Sequence, residues 1–252
     1  MNPEKLSVYC LKYGESTLPE SMVFSGGEDE KTVPISFCIY LIRSDERMIL
    51  VDAGCDTMPG FVMRNFCSPV CVLRELGIAE TAITDVIVTH AHHDHIEALK
   101  HFTNATVHIT AEQYERGQAY MADSMHVHIV EDSYLLTEAI RVVKWGGHDV
   151  GSAIVEIRAD DKTHILAGDE CYTNANILQN VPTGVSVDNQ KSVEFLEKYG
   201  NRHFVIHTCH DHSLKTERIV YYESDTGKRR QKSSMGQRPR RCLRRGRLPC
   251  EN

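Results

Sequence analysis

Four of the chain's fourteen histidines fall within VTHAHHDHIEA, residues 88–98, as His90, His92, His93 and His95, with Asp94 among them. Imidazole and carboxylate are the donors a catalytic divalent ion takes when one position must stay open for water or substrate. The residues just before, DVIVTH at 85–90, read as a short strand buried on both faces. Side chains two apart on an extended chain project to one side, so His90 and His92 can reach one ion. Asp94 and His95 follow once the chain has turned, and face a second position. The H-x-H-x-D-H spacing therefore suits two adjacent ions. A chance cluster of surface histidines is the competing reading, and it weakens if further donors exist elsewhere. Three turns offer them: His148 in WGGHDVG, Asp169 in ILAGDECY and His210 in IHTCHD. Each follows an apolar strand, as donors gathered at one rim of a sheet would.

The elements that must position these residues alternate. Runs 34–42 and 47–52 are β-rich and separated by RSDE, which predicts a hairpin whose second strand ends in the LVDAG turn. Residues 59–76 carry a helical pattern, interrupted near Pro69 and stopped by Gly77. Strands are predicted at 85–90, 105–110, 140–145, 152–158 and 163–168, with a short helix at 111–120, and HFVIHTCHDH at 203–212 reads as a strand ending in a histidine-rich turn. SVDNQKSVEFLEKYG predicts a helix capped by Ser186 or Asp188 and stopped by Gly200. Strands with interspersed helices, twice over, point to an α/β fold: an αββα sandwich with helices outside two central sheets.

The chain has 252 residues, 41% of them hydrophobic, enough to bury a sizeable core. The net charge of -7 is unevenly spread. From Ser224 onward there are ten Lys/Arg and two Asp/Glu, which leaves 18 basic and 33 acidic side chains in residues 1–223. A body with that acidic excess argues against a nucleic-acid-binding fold. We expect one folded domain over 1–223 and a basic, disordered tail over 224–252, either a tether for an anionic surface or nucleic acid, or an extension foreign to the domain. The longest apolar run, ISFCIYLI at 35–42, is too short to span a membrane, and MNPEKLSVYCLKYGES lacks the apolar core of a signal peptide. Nine scattered cysteines do not form a disulfide framework and fit a reducing compartment, so a cytoplasmic protein is expected. Cys38, Cys67 and Cys71 are expected to be small buried residues.

THAHHDH, followed by a glycine–histidine turn, a strand-ending aspartate and a late histidine, resembles the metallo-β-lactamase fold superfamily, and ILVDAG matches the strand and turn that precede its histidine motif. The resemblance covers about residues 6 to 222 and implies two mixed sheets flanked by helices. Within the superfamily the chain looks most like the N-acyl homoserine lactonases. The strand pair VPISFCIYLIRSDERMILVDAG, Tyr172 three residues after Asp169, and the CHD context of His210 carry that likeness. It implies that His90, His92 and His148 bind one divalent metal, that Asp94, His95 and His210 bind a second, and that Asp169 bridges them. Zinc is the expected metal, with iron, manganese and cobalt also suited to His/Asp donors.

The implied activity is lactone opening, a quorum-quenching reaction. Hydroxide bridging the metals attacks the carbonyl, Tyr172 stabilises the oxyanion, and Asp94 holds the hydroxide and carries its proton. A small-molecule lactone or ester is the expected partner, acted on by a monomer or homodimer, with 59–76 as dimer face, lid or ordinary core packing. Competing readings are a thioesterase of the glyoxalase II type, a phosphodiesterase, a β-lactamase, and a non-catalytic metal-binding protein that uses the basic tail on nucleic acid. The chain departs from the family at Ile96-Glu97-Ala98, where glycine usually follows the aspartate–histidine pair; the role of Glu97 is left open. Cys171 and Cys209 are soft donors beside the site or small residues in tight turns. His93, His207 and His212 are expected outside the centre, with His207 the substitute for His210. Asp52 is expected either to orient a ligand histidine or its loop, or to serve only its turn.

Overall fold

The computed structural model describes residues 5–159 and 161–223. Strand β1 (Lys5–Pro19) and β2 (Thr32–Arg43) form a long antiparallel pair. In β2, Ile35, Phe37, Ile39 and Leu41 fill one face, while Cys38, Tyr40 and Ile42 fill the other, all buried. Apolar residues are needed on both faces, which is why this stretch reads as a nearly continuous apolar run, interrupted only at Ser36. β3 (Met48–Val51) pairs antiparallel with β2 and completes the expected hairpin. β4 (Asp85–Ile87), β5 (Thr106–Thr110) and β6 (His126–Val130) then add in parallel.

The second sheet holds β7 (Ser133–Leu135), β8 (Ile140–Lys144), β9 (Ala153–Ala159), β10 (Lys162–Leu166) and β11 (Phe204–His207). Their spatial order is β11-β10-β9-β8-β7, with β10 and β11 parallel and the other pairs antiparallel. β12 (Glu217–Glu223) returns to the free edge of β1, so the first sheet runs β12-β1-β2-β3-β4-β5-β6. Both sheets are mixed.

Three apolar layers hold this arrangement. Between the sheets, Val8, Tyr40, Ile42 and Val51 meet Val142, Val155, Ile157 and Leu166. The outer face of the first sheet is covered by Leu99, Phe102 and helix α2 (Pro69–Glu75) through Val70, Val72 and Leu73. α6 (Asn189–Tyr199) covers the outer face of the second sheet, packing Phe195, Leu196 and Tyr199 on Ile154 and Ile165. Its N-cap is Asp188, whose side chain accepts from the Lys191 N–H, and Gly200 is its C-cap. Shorter helices are α1 (Glu20–Val23), α3 (His93–Ile96), α4 (Ala111–Gly117) and α5 (Asn174–Gln179). The αββα sandwich is as expected.

Several expectations need correction. The stretch 59–76 is helical only over Pro69–Glu75. Gly60 (φ 87°) and Asn65 (φ 51°) take left-handed backbone, and the Glu15 and Arg64 backbones exchange two hydrogen bonds (2.9 and 2.7 Å). Pairing with β1 thus overrides the local helical pattern. Cys38 is buried, but Cys67 is partly exposed and Cys71 exposed, because α2 turns its valines and leucine inward. The strand expected at 85–90 spans only 85–87, while within 203–212 the strand is 204–207 and the expected turn follows it; the residues beyond both strands leave the ladder to build the site. β1, β6, β7 and β12 were not expected. Register shifts at Val8/Tyr9 and Lys12/Gly14 break the alternation along β1. The tail from Ser224 lies outside the described residues.

Asp85, buried at the start of β4, accepts from Arg47 Nη1 (2.8 and 2.9 Å) and Thr84 Oγ1 (2.7 Å), and faces His108 Nε2 at 2.9 Å. Burial pushes its pKa up, but His108, Thr84 and Arg47 together hold it below the ordinary value. A depressed carboxyl stabilises the fold above the unfolded pKa of about 4 and loses that contribution as pH falls through the folded value. Asp85→Asn is therefore expected to lower the urea midpoint clearly at pH 7. The gap to the parent should narrow near pH 2; an equal gap at both would contradict the assignment.

Candidate metal centre

The seven candidate donors come from four strand ends. His90 follows β4, His92 caps α3, and Asp94 and His95 lie within α3. His148 stands in the turn after β8, Asp169 in the short turn after β10, and His210 just past β11. Asp169 lies at the centre and divides them. Its Oδ2 is 3.4 Å from His148 Nε2 and 3.6 Å from His90 Nε2. Its Oδ1 is 3.1 Å from both His95 Nε2 and His210 Nε2. Asp94 Oδ2 stands on this second side, 3.5 Å from His95 Nε2 and 3.8 Å from His210 Nε2. His90, His92, His148 and Asp169 each bring one donor atom to within 4.8 Å of the others, and so do His95, Asp169, Cys209 and His210.

Each inner imidazole is held by its rear nitrogen. His95 Nδ1 meets Asp52 Oδ2 (2.8 Å), His148 Nδ1 the Val185 carbonyl (2.8 Å), His210 Nδ1 the Ser36 carbonyl (2.9 Å) and His90 Nδ1 the Thr89 hydroxyl (3.1 Å). Among the described residues, no well-directed hydrogen bond reaches the buried front nitrogens of His90 and His95, although Asp169 lies close to both. A buried nitrogen left unpaired is costly unless something else takes its lone pair. Two such nitrogens aimed at a carboxylate form a donor set suited to divalent cations. Burial pushes His90 and His148 down toward the neutral form that coordinates a metal. Burial also disfavours charge on His95 and His210, but Asp169 and Asp94 outweigh it and raise both. Burial likewise opposes the Asp169 charge, yet the surrounding imidazoles keep its pKa far below the ordinary value. The centre is built to attract positive charge.

His92 is the exposed member. Its Nδ1 lies 3.1 Å from His148 Nε2 and its Nε2 lies 3.8 Å from Asp149. Asp149 is gripped by Arg116 and by Gln113 Nε2 (3.2 Å). Gln113, on α4, also accepts from the Ala91 N–H (2.7 Å) and donates to the Val150 carbonyl (2.7 Å), tying the His90–His92 segment to the His148 turn. Behind that turn, Glu170 accepts from the Gly147 and His148 N–H groups (both 3.1 Å) and from Ser152. Burial pushes its carboxyl up to about 7. None of Gln113, Arg116, Asp149 or Glu170 was identified from the sequence. The one available signal was adjacency: Asp149 follows His148 and Glu170 follows Asp169.

Tyr172 is buried between the two groups, with ring centroids 5.8 Å from His148 and 5.0 Å from His210. Burial, then Asp169 and Asp94, hold its phenol well above the ordinary value, so it keeps its proton. Asp52 does orient a histidine: besides His95, it accepts from the Thr89 N–H (2.7 Å) and hydroxyl (2.9 Å). Glu97 is a loop clamp, accepting from the Asp56 N–H (2.6 Å) and pairing with Lys100 (2.8 Å). Cys209 donates to the Gly168 carbonyl and to Asp169 Oδ1 (both 3.3 Å), which places its thiol within the second group. Cys171 points to the Thr173 carbonyl (3.6 Å) and away from the centre. His93 meets the Thr57 carbonyl, His207 stacks on His164, and His212 is exposed, so the structure places none of them in either group. Phe37 lies edge-on to His210 at 5.1 Å and meets Phe61 at 5.9 Å, an apolar wall beside the second group.

Comparison with known proteins agrees with this geometry. Residues 39–203 match the family model of the metallo-beta-lactamase superfamily. A probable metallo-hydrolase of Methanocaldococcus jannaschii is 25% identical over 172 residues, covering 68% of this chain and 75% of its own. An N-acyl homoserine lactonase of Bacillus thuringiensis is 24% identical over 202 residues, covering 69% and 80%. A solved N-acyl homoserine lactone hydrolase, with the product N-hexanoyl-L-homoserine at its catalytic metal centre, superposes with a TM-score of 0.72. It is 22% identical and covers 87% of this chain and all of the other. No helix among the described residues is long and apolar enough to cross a membrane. With the family model spanning well over half of its length, this chain belongs to the metallo-β-lactamase superfamily.

Proposed function

We propose that the protein is a dinuclear metal-dependent hydrolase that opens lactones of the N-acyl homoserine type. The observation that carries this reading is Asp169, with Oδ1 toward His95 and His210 and Oδ2 toward His90 and His148. In this reading His90, His92 and His148 would hold one ion and Asp94, His95 and His210 the other, with Asp169 a donor to both. Zinc suits these donors, as do iron, manganese and cobalt. When bound, the ions supply Lewis acidity and a water acidic enough to act as nucleophile at neutral pH.

The chain's own residues do the rest. Tyr172 keeps its proton and donates it in a hydrogen bond to the carbonyl oxygen as negative charge develops there. Asp94, the less buried carboxylate, holds the nucleophile by hydrogen bond and passes its proton to the departing ring oxygen. Phe61, which packs on the buried Phe37, and Met58 nearby in sequence are both exposed and offer an acyl chain an apolar surface. The named activity of the lactonase relatives supports this substrate class.

The test is acid release on a pH-stat from N-hexanoyl homoserine lactone, with metal-loaded parent, His92→Ala and Tyr172→Phe side by side. We expect rapid release by the parent and little by His92→Ala. Tyr172→Phe should lose about 10²-fold in kcat, the cost of one oxyanion donor, with metal content unchanged. If Tyr172→Phe also loses metal, the tyrosine is structural. No release by a parent with two equivalents of metal bound would sink the lactone assignment.

A further inference from the structure

We propose that Cys67, Cys71 and Glu75 form a separate site for a thiophilic divalent cation of the zinc–cadmium kind, on the outer face of α2. One donor atom from each of the three lies within 4.8 Å of the others. Cys71 and Glu75 are four residues apart on a helix and so are neighbours on one face. Cys67 precedes the helix and is brought to the same face by non-helical backbone. That backbone is held by the Cys67 N–H donating to the Tyr13 carbonyl (2.9 Å), and by Ser68, which caps the helix.

The frame is rigid. Pro69, Val70, Val72 and Leu73 are buried against the first sheet, which turns Cys71 and Glu75 outward. A site whose backbone is set beforehand has little ordering cost on binding.

The electrostatics favour a cation. Burial first, and then Cys71 and Glu75, push the Cys67 thiol up to about 11. Arg74, the one basic side chain of α2, is engaged with Glu80 at 2.6 Å. A bound ion would reverse this balance: it displaces the two thiol protons to solvent and takes up the charge of both sulfurs and the carboxylate. Two sulfurs and one oxygen suit zinc or cadmium in tetrahedral coordination with one water, and suit magnesium or calcium poorly. Neither group at the centre contains such a thiol pair. The site lies at the foot of the segment that carries Phe61 to Phe37, so an ion here would pin the end of that segment to α2.

The test uses the full chain, with its histidine–aspartate centre loaded with zinc, titrated with cadmium chloride. Near-ultraviolet thiolate-to-cadmium absorption and total metal by mass spectrometry are the readouts. We expect the parent to bind one equivalent more than Cys71→Ser and to show the absorption band. Cys67→Ser and Cys71→Ser should weaken that equivalent by at least about 100-fold, more than loss of an outer-sphere partner costs. Glu75→Gln should weaken it less. The zinc count and far-ultraviolet circular dichroism should stay at parental values in all three. Equal cadmium stoichiometry in parent and Cys71→Ser would overturn the site. So would a band that survives in Cys71→Ser, since the thiolate would then belong to another cysteine such as Cys209.

Discussion

Asp169→Ala is expected to leave the protein without firmly bound divalent metal after dialysis, and to lower lactone hydrolysis by at least about 10³-fold, or roughly 4 kcal/mol of transition-state stabilisation. The size follows from position. Among the described residues, Asp169 is the one carboxylate within 4 Å of imidazole nitrogens on both sides of the centre. Its loss therefore weakens both groups together, whereas loss of a single histidine weakens one. The companion variant Asp169→Asn keeps one carbonyl oxygen and the side-chain shape but removes the charge. It should retain partial metal and intermediate activity. Metal content by mass spectrometry separates the outcomes. Two equivalents retained in Asp169→Ala would show that the carboxylate does not bridge.

The second large effect is expected at Asp52. Its carboxylate satisfies three donors at once: the Thr89 N–H, the Thr89 hydroxyl and His95 Nδ1. It does so from left-handed backbone, φ 64°, where asparagine is also tolerated. Asp52→Asn therefore changes charge and acceptor count without straining the chain. One amide oxygen cannot serve three buried donors, and its NH2 meets donors where acceptors are needed. We expect a stability loss of about 3 kcal/mol in urea unfolding of the metal-free protein. Metal affinity should fall about 10- to 100-fold, the usual cost of losing the partner that orients a ligand histidine. Chelator competition measures the second quantity independently of the first. A variant with parental affinity would leave Asp52 as a turn residue alone.

How much of this was legible depended on how local each feature is. His90, His92, Asp94 and His95 could be read because a strand and the turn after it set their directions within a few residues. His148, Asp169 and His210 were legible because each follows an apolar strand, and strand ends at one rim of a sheet are where distant donors meet. α6 was legible from its cap at Asp188 and its stop at Gly200. β1 was not, since two register shifts break its period. The stretch 59–68 was misread because its own pattern is helical while its hydrogen bonds go to β1.

The sequence by itself determined the fold class, the donor types and the strand ends that present them, because strand periodicity, caps and turn residues act over short distances along the chain. Tertiary structure decided what stands behind and between the donors. Gln113, Arg116 and Asp149 join α4 to the His148 turn across more than thirty residues. Cys209 comes to lie against Asp169, forty residues away. Cys71 faces outward only because α2 spends its other faces on the sheet. Contacts of this kind follow from packing one sheet and its helices against another, and no local pattern encodes which side chains that packing brings together.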